Sequence, residues 1–252
     1  MKRAWTFLLC IAVIGAISFI VIQTTGKNEP NNINTGRNDL FTTKEAKKAN
    51  DIRKKQIDVP TLFQYPELPT GCEATAATMV LQYYGVSVSA EEFAGTWLEC
   101  NSSFYSENGK EYGPDPNKVF AGDPFSLYSY GCYARPIVNA INRNSTECSA
   151  EIISGRSLER LCKDYIDHEK PLLIWATMEM KESYEGRSWY LQNGTKFTWI
   201  AEEHCLVLVG YDSNHYYLND PMTGSTISYP KALVEKRYAE LGKQAILIER
   251  ID

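Results

Sequence analysis

An uncharged stretch from Ala4 to Thr25, mostly Leu, Ile, Val, Phe and Ala and preceded by Lys2 and Arg3, constrains this chain more than any other feature. Roughly 20 apolar residues cross a bilayer core, so the stretch is long enough to span one. A cleaved secretory signal has an apolar region of about 7 to 15 residues and then a small-residue cleavage site. No such site follows, so residues 1–26 are expected to be a retained transmembrane anchor. Lys2 and Arg3 should stay on the cytoplasmic side, which would put everything after Gly26 outside the cytoplasm, tethered to the cell membrane. The lipid bilayer is then an expected partner. Cys10, with apolar sequence after it, reads as a small apolar residue of a membrane helix rather than a lipoprotein processing site.

The rest of the chain reads as a tether and a globular domain. Residues 27–56 join an Asn-, Gly- and Thr-rich segment, Lys27 to Asn38, to a charged helical spacer, Thr42 to Gln56. Residues 57–252 are the expected globular domain, and the 44% hydrophobic content of the chain is ample for a core. The net charge of −5 and scattered Lys and Arg argue against a nucleic-acid partner. Besides Cys10, the cysteines are Cys72, Cys100, Cys132, Cys148, Cys162 and Cys205. An extracytoplasmic location permits disulfides; bridges among Cys100, Cys132, Cys148 and Cys162 would leave Cys72 and Cys205 as thiols. With no CxxC and only His168, His204 and His215, neither a metal nor another cofactor is expected.

Hydrophobic periodicity outlines an α+β pattern. Ala77, Val80, Leu81 and Tyr84 give a helix over Ala74–Tyr84 one apolar face, and Gly85 is a natural stop. Residues 98–131, rich in Asn, Ser, Gly, Pro and Tyr, read as a long loop region of the kind that carries function. Helices are expected at Ala134–Arg143, Ser157–Asp167 and Lys231–Leu241, and strands at Pro171–Thr177 and Gln244–Ile248. The clearest strand is Cys205–Tyr211, with Tyr216–Leu218 as its hairpin partner across an Asp-Ser-Asn-His turn.

Four residues point to thiol chemistry. Cys72 lies in Thr70-Gly71-Cys72-Glu73 at the start of the best helix, where Thr70 and Glu73 have the spacing of a capping box. A first-turn cysteine meets unpaired N–H groups and the positive end of the helix dipole, both of which favour a thiolate. His204, at the entrance to the Cys205–Tyr211 strand, is the proton carrier, whereas His168 and His215 read as surface residues. Of Asn219 and Asp220, which should face opposite ways, Asp220 is taken as the group that orients the imidazole. Gln64, with the Cys72 N–H, would donate to a developing oxyanion.

The segment Val59–Gly85, VPTLFQYPELPTGCEATAATMVLQYYG, resembles the peptidase C39-like family of papain-type bacterial cysteine peptidases. The order Gln64, Cys72, His204, Asp220 matches as well. So do Phe120-Ala121-Gly122-Asp123-Pro124, Tyr133–Val138, Pro171–Trp175 and the run from His204 to Asp212 followed by Leu218-Asn219-Asp220-Pro221. The resemblance implies a papain-like α+β fold: an N-terminal helix would carry the nucleophile Cys72, and an antiparallel sheet would carry the base and acid His204 and its partner Asp220, with Gln64 at the oxyanion. It implies a bacterial source too. Related enzymes that remove double-glycine leaders are fused to ATP-binding transporters, which this sequence does not contain, so leader processing is not implied. Cys205 stands where an apolar residue would be expected, and strand alternation turns it away from the His204 face.

The expected activity is hydrolysis of peptide or amide bonds through an acyl-enzyme, with a peptide or protein as substrate, cell-wall peptide included. A thiol acyltransferase or amidase acting on cell-wall components would use the same residues, and a non-catalytic surface module could keep the same fold.

Overall fold

The computed structural model describes residues 54–251. The expected anchor and nearly all of the linker lie outside the described residues. Among the described residues no helix is long and apolar enough to cross a membrane.

The described residues begin with β1 (Lys55–Gln56) and α1 (Cys72–Tyr83), then a short helix α2 (Ala90–Glu92) that runs into a π turn at Phe93–Trp97. Four short strands follow: β2 (Cys100–Asn101), β3 (Tyr105–Glu107), β4 (Lys110–Tyr112) and β5 (Phe120–Ala121). Next come α3 (Ala134–Asn144), β6 (Cys148–Ile152), α4 (Leu158–Asp164) and β7 (Leu172–Thr177). The C-terminal part comprises β8 (Tyr184–Tyr190), β9 (Lys196–Ala201), β10 (Glu203–Tyr211), β11 (His215–Asp220), β12 (Ser225–Pro230), α5 (Lys231–Glu240) and β13 (Ala245–Arg250). Within residues 57–251 the expected helices and main strands are present to within a few residues, whereas Lys55–Gln56, expected as the end of the helical spacer, form β1, since their backbones pair with Tyr211 and Gly210 of β10. The 98–131 region, expected to be loop, contains four short strands, and β6, β8, β9 and β12 add strands that periodicity did not single out.

A seven-stranded sheet runs β12-β11-β10-β7-β13-β6, with β1 added beside the far end of β10. All its neighbours are antiparallel. Every residue of β7 is buried, which requires cover on both faces of the sheet. α1 packs on β10, α3 on β6 and β13, and α5 on β7. Gly210 lets β1 pair closely, because a Cβ there would overlap the Lys55 carbonyl oxygen.

α1 departs from the amphipathic helix its spacing predicts. Every residue from Cys72 to Leu81 is buried, so the helix is enclosed on all sides rather than along one stripe. Its composition allows this. Ala74, Ala76 and Ala77 let neighbours approach, and the Thr75 and Thr78 hydroxyls donate to the carbonyls of Gly71 and Ala74 at 2.9 Å each. Gly85 ends the segment at φ 88, a left-handed conformation that suits glycine.

The capping box does not form. Gly71 is the N-cap, Thr70 Oγ1 donates to Ser126 O at 3.0 Å, and the Glu73 carboxyl turns inward instead of back to the Thr70 N–H. The expected disulfides are absent as well: all six cysteines among the described residues are free thiols, and of these only Cys100 is exposed.

A second sheet, β3-β4-β8-β9, carries an aromatic cluster in which Trp189 meets Phe104, Tyr130 and Phe197 at centroid distances of 5.3, 4.9 and 4.9 Å. This is where the Tyr-rich 104–133 segment and the 184–199 segment meet, packed locally and, through Tyr130 and Trp199, walling the cleft described below.

Leu173 lies in the centre of the main sheet, opposite Val207 on one side and Ile246 on the other, and is fully buried. Leu173→Ala should therefore lower unfolding free energy by about 2–5 kcal/mol, read as a fall in the denaturant midpoint with an unchanged slope.

Candidate active site

Cys72 is the first residue of α1, so its N–H has no partner within the helix. Close packing fixes its position. A Cβ on Gly71 would come 2.9 Å from the Leu68 Cβ, and the Cys205 N–H of β10 donates to Cys72 Sγ at 3.5 Å. The helix start is thus pressed against Cys205, the third residue of β10.

His204 is the second residue of β10 and is 1% exposed, with Nε2 2.8 Å from Asp220 Oδ1 at the end of β11. Asp220 also accepts the Met222 N–H on Oδ1 at 2.8 Å, which fixes the carboxylate. The imidazole is therefore held through Nε2, leaving Nδ1 for the cleft that Cys72 and His204 line together.

A bulge decides which residue of Asn219-Asp220 meets the histidine. Near the turn, Tyr211 pairs with Tyr216 and Gly210 with Tyr217; beyond Val209 the register shifts, and Leu208 pairs with Leu218 and Val207 with Asn219. In antiparallel strands, opposed residues share a face. The shifted register puts Asp220 on the face of Leu206 and His204; the unshifted one would have put Asn219 there. Asn219 instead donates to Val59 O at 3.0 Å and accepts from Thr226 Oγ1 at 2.6 Å.

Gln64 is buried in the cleft wall, with its backbone N–H donating to Pro221 O at 2.9 Å. Its Nε2 donates to the carbonyls of Leu68 and Pro69 at 3.1 and 3.2 Å, and Oε1 has no partner among the described residues. The side chain thus organises the 64–69 turn as well as facing the cleft. His168 is exposed, and His215 sits 3.5 Å from Asp212 in the turn, so neither approaches Cys72.

The cleft has a volume of about 180 Å³, with Tyr65, Tyr130, Met178, Trp199 and Met222 among its walls. A larger hollow of about 470 Å³ lies between residues 101–119 and 191–193 and contains neither Cys72 nor His204.

The electrostatics run against the thiolate expected from the helix start. Burial pushes the Cys72 thiol well above its ordinary value, and the nearby Glu73, Glu203 and Cys205 push it further; the Cys205 N–H opposes them. Glu73 and Glu203 are the residues that sequence reasoning missed. In the sequence Glu73 reads as half of a capping box, and Glu203 carries no assigned role. The available signal was that both adjoin candidate residues, Cys72 and His204, in segments otherwise poor in charge.

Glu73 Oε1 accepts the Cys132 N–H at 2.6 Å, and Oε2 accepts the Cys72 thiol at 3.3 Å. Ligand atoms of Cys72, Glu73 and Glu203 all lie within 4.8 Å of one another. Both Glu73 oxygens hold hydrogen-bond donors.

Known proteins are similar to this chain in sequence and fold. The uncharacterized protein YvpB of Bacillus subtilis (strain 168) is 28% identical over 206 residues, 81% of this chain and 77% of YvpB. A crystal structure of a candidate C39-like peptidase from Bacillus anthracis aligns with a TM-score of 0.68 at 28% identity, covering 79% of this chain and 98% of that one. The mixed α+β fold is therefore similar to that of a C39-like peptidase. Residues 56–246 match the Peptidase_C39 like family, and the chain belongs to that family.

Proposed function

We propose that this protein is a cysteine peptidase that cleaves peptide or amide bonds through an acyl-enzyme on Cys72. The observation that carries the reading is the 2.8 Å His204–Asp220 contact beside a cleft that Cys72 also lines. Asp220 holds the proton on Nε2, which leaves Nδ1 as the base. Nδ1 takes the Cys72 proton as Sγ attacks the substrate carbonyl carbon, and the oxyanion draws on the Cys72 N–H and on Gln64 Nε2, which gives up its bond to the Leu68 or Pro69 carbonyl to donate there. The imidazolium then protonates the departing amine as the C–N bond breaks. Water, deprotonated by His204, attacks the thioester and releases the carboxylic acid and the free thiol. Formation of the ion pair lowers the cost of ionising so buried a thiol, because proton transfer to His204 supplies a cation beside it.

The apolar walls formed by Tyr65, Met178, Trp199 and Met222 suit a substrate with an apolar side chain near the scissile bond. The reading includes an anchor at Ala4–Thr25 that holds the peptidase domain at the outer side of a cell membrane, with peptide or protein, cell-wall peptide included, as substrate.

Turnover of a peptide library read by mass spectrometry tests the chemistry. Cys72→Ala should abolish cleavage, and His204→Ala should lower kcat about 10²- to 10⁴-fold. Asp220→Ala should cost less than His204→Ala, since it acts through the imidazole. Undiminished cleavage by Cys72→Ala would sink the reading, and transfer products formed with added amines would redirect it to acyl transfer.

Gln64→Ala should lower kcat about 100-fold with little change in KM. A change confined to KM would remove Gln64 from the oxyanion site.

A further inference from the structure

We propose that Glu73 and Glu203 form a buried carboxyl pair that shares protons and sets the pH range in which Cys72 can ionise, a regulation that rests on reading Cys72 as the nucleophile. Both carboxyls are buried, Glu73 fully and Glu203 to 7% exposure. They converge at Gly131, where a Cβ would come 2.5 Å from Glu73 Oε1 and 3.2 Å from Glu203 Oε2. Gly131 has φ 138, so a glycine there both permits the backbone and leaves room for the two carboxyls.

Glu203 Oε1 has no hydrogen-bond partner among the described residues. The Trp175 indole N–H, which favours the Glu203 carboxylate, is itself donated to Cys132 O at 3.0 Å. Two dry carboxylates this close cannot both be charged, so the pair keeps protons that exposed carboxyls would lose.

The surroundings supply no countercharge. Cys72 faces the pair from α1, Cys132 and Tyr133 from the segment leading into α3, Cys100 from β2, and Cys205 from β10, with His204 adjoining. Among the described residues neither carboxyl is in an ion pair with lysine or arginine.

Burial pushes Glu73 up to about 7 against the opposing Cys132 N–H. Burial and the Glu73 charge push Glu203 well above the carboxylate range. Below neutrality the pair is uncharged, and Cys72 can pass its proton to His204. As pH rises through about 7, one proton leaves to solvent and the charge settles on Glu73, whose Oε2 is 3.3 Å from Cys72 Sγ. The thiol then stays bonded to that carboxylate, because ionising it would set two negative charges side by side.

Iodoacetamide labelling of Cys72 in the full-length protein, followed from acid to alkaline pH by mass spectrometry, tests this. Wild type should show labelling whose rise flattens above neutrality. Glu73→Gln keeps an acceptor for the Cys132 N–H and should label about tenfold faster at alkaline pH, a shift of one pKa unit. A profile identical to wild type would overturn the proposal.

Infrared spectroscopy of the unaltered protein gives a second reading independent of any variant's folding. A protonated buried carboxyl band should persist into alkaline buffer and vanish in Glu203→Gln; its absence from wild type would equally overturn the proposal. Labelling needs no turnover, so failed hydrolysis with the predicted labelling would sink the peptidase reading alone.

The same pair makes a stability prediction. Both acids bind protons more tightly folded than unfolded, so the folded state is favoured at low pH and loses stability as pH rises from 4.5 through about 7. By calorimetry Tm should fall across that range, and fall less in Glu73→Gln; a wild-type Tm that rises across it would count against the pair.

Discussion

The enclosure of α1 against β10 is the constraint on which the rest depends. A helix buried from Cys72 to Leu81 must have small or internally satisfied side chains all round, and the Ala-Thr-rich sequence meets that demand. Its first residue consequently has nowhere to move. The Cys205 N–H reaches Cys72 Sγ, so the helix start and the sheet are held as one unit. The placement of the thiol in the cleft that His204 also lines follows from core packing, with no flexible loop intervening.

The second determinant is the register of β10 and β11. One extra residue near Val209 changes the parity of every pair beyond it, and Asp220 comes to the His204 face. Asn219 is then free to tie β11 to Val59 and Thr226. An amide could orient an imidazole too, but a carboxylate adds a negative charge that would stabilise the imidazolium of the proposed proton transfer from Cys72.

The site stores an electrostatic conflict. A helix N-terminus favours a thiolate, while burial and two carboxyls oppose it more strongly. Burying Glu73 and Glu203 costs free energy that an apolar pair would not. The arrangement also demands a glycine at position 131 and commits the Cys132 N–H to Glu73. Such concentrated cost beside a thiol suits the nucleophile proposed for Cys72, since the same low dielectric that penalises charge magnifies each neighbour's influence on it.

Much was legible in the sequence. Periodicity located α1, β7, the β10–β11 hairpin and α5, because 3.6- and 2-residue spacing reports burial directly. The turn at Asp212 was legible because its carboxylate accepts the N–H groups of Asn214 and His215, a local bond between near neighbours. Gln64, Cys72, His204 and Asp220 could be named from their local settings and order. What local spacing could not show was the full enclosure of α1, the inward turn of Glu73, the meeting of Glu73 with Glu203 and the parity set by the bulge. Each of these depends on groups far apart in the chain, 59 residues in the case of Glu73 and Cys132, and distance along a chain carries no information about which faces will close on one another. Residue types and short-range hydrogen bonds were therefore determined by the sequence itself, while the charge state of the thiol's surroundings was decided only when packing excluded water from the two carboxyls.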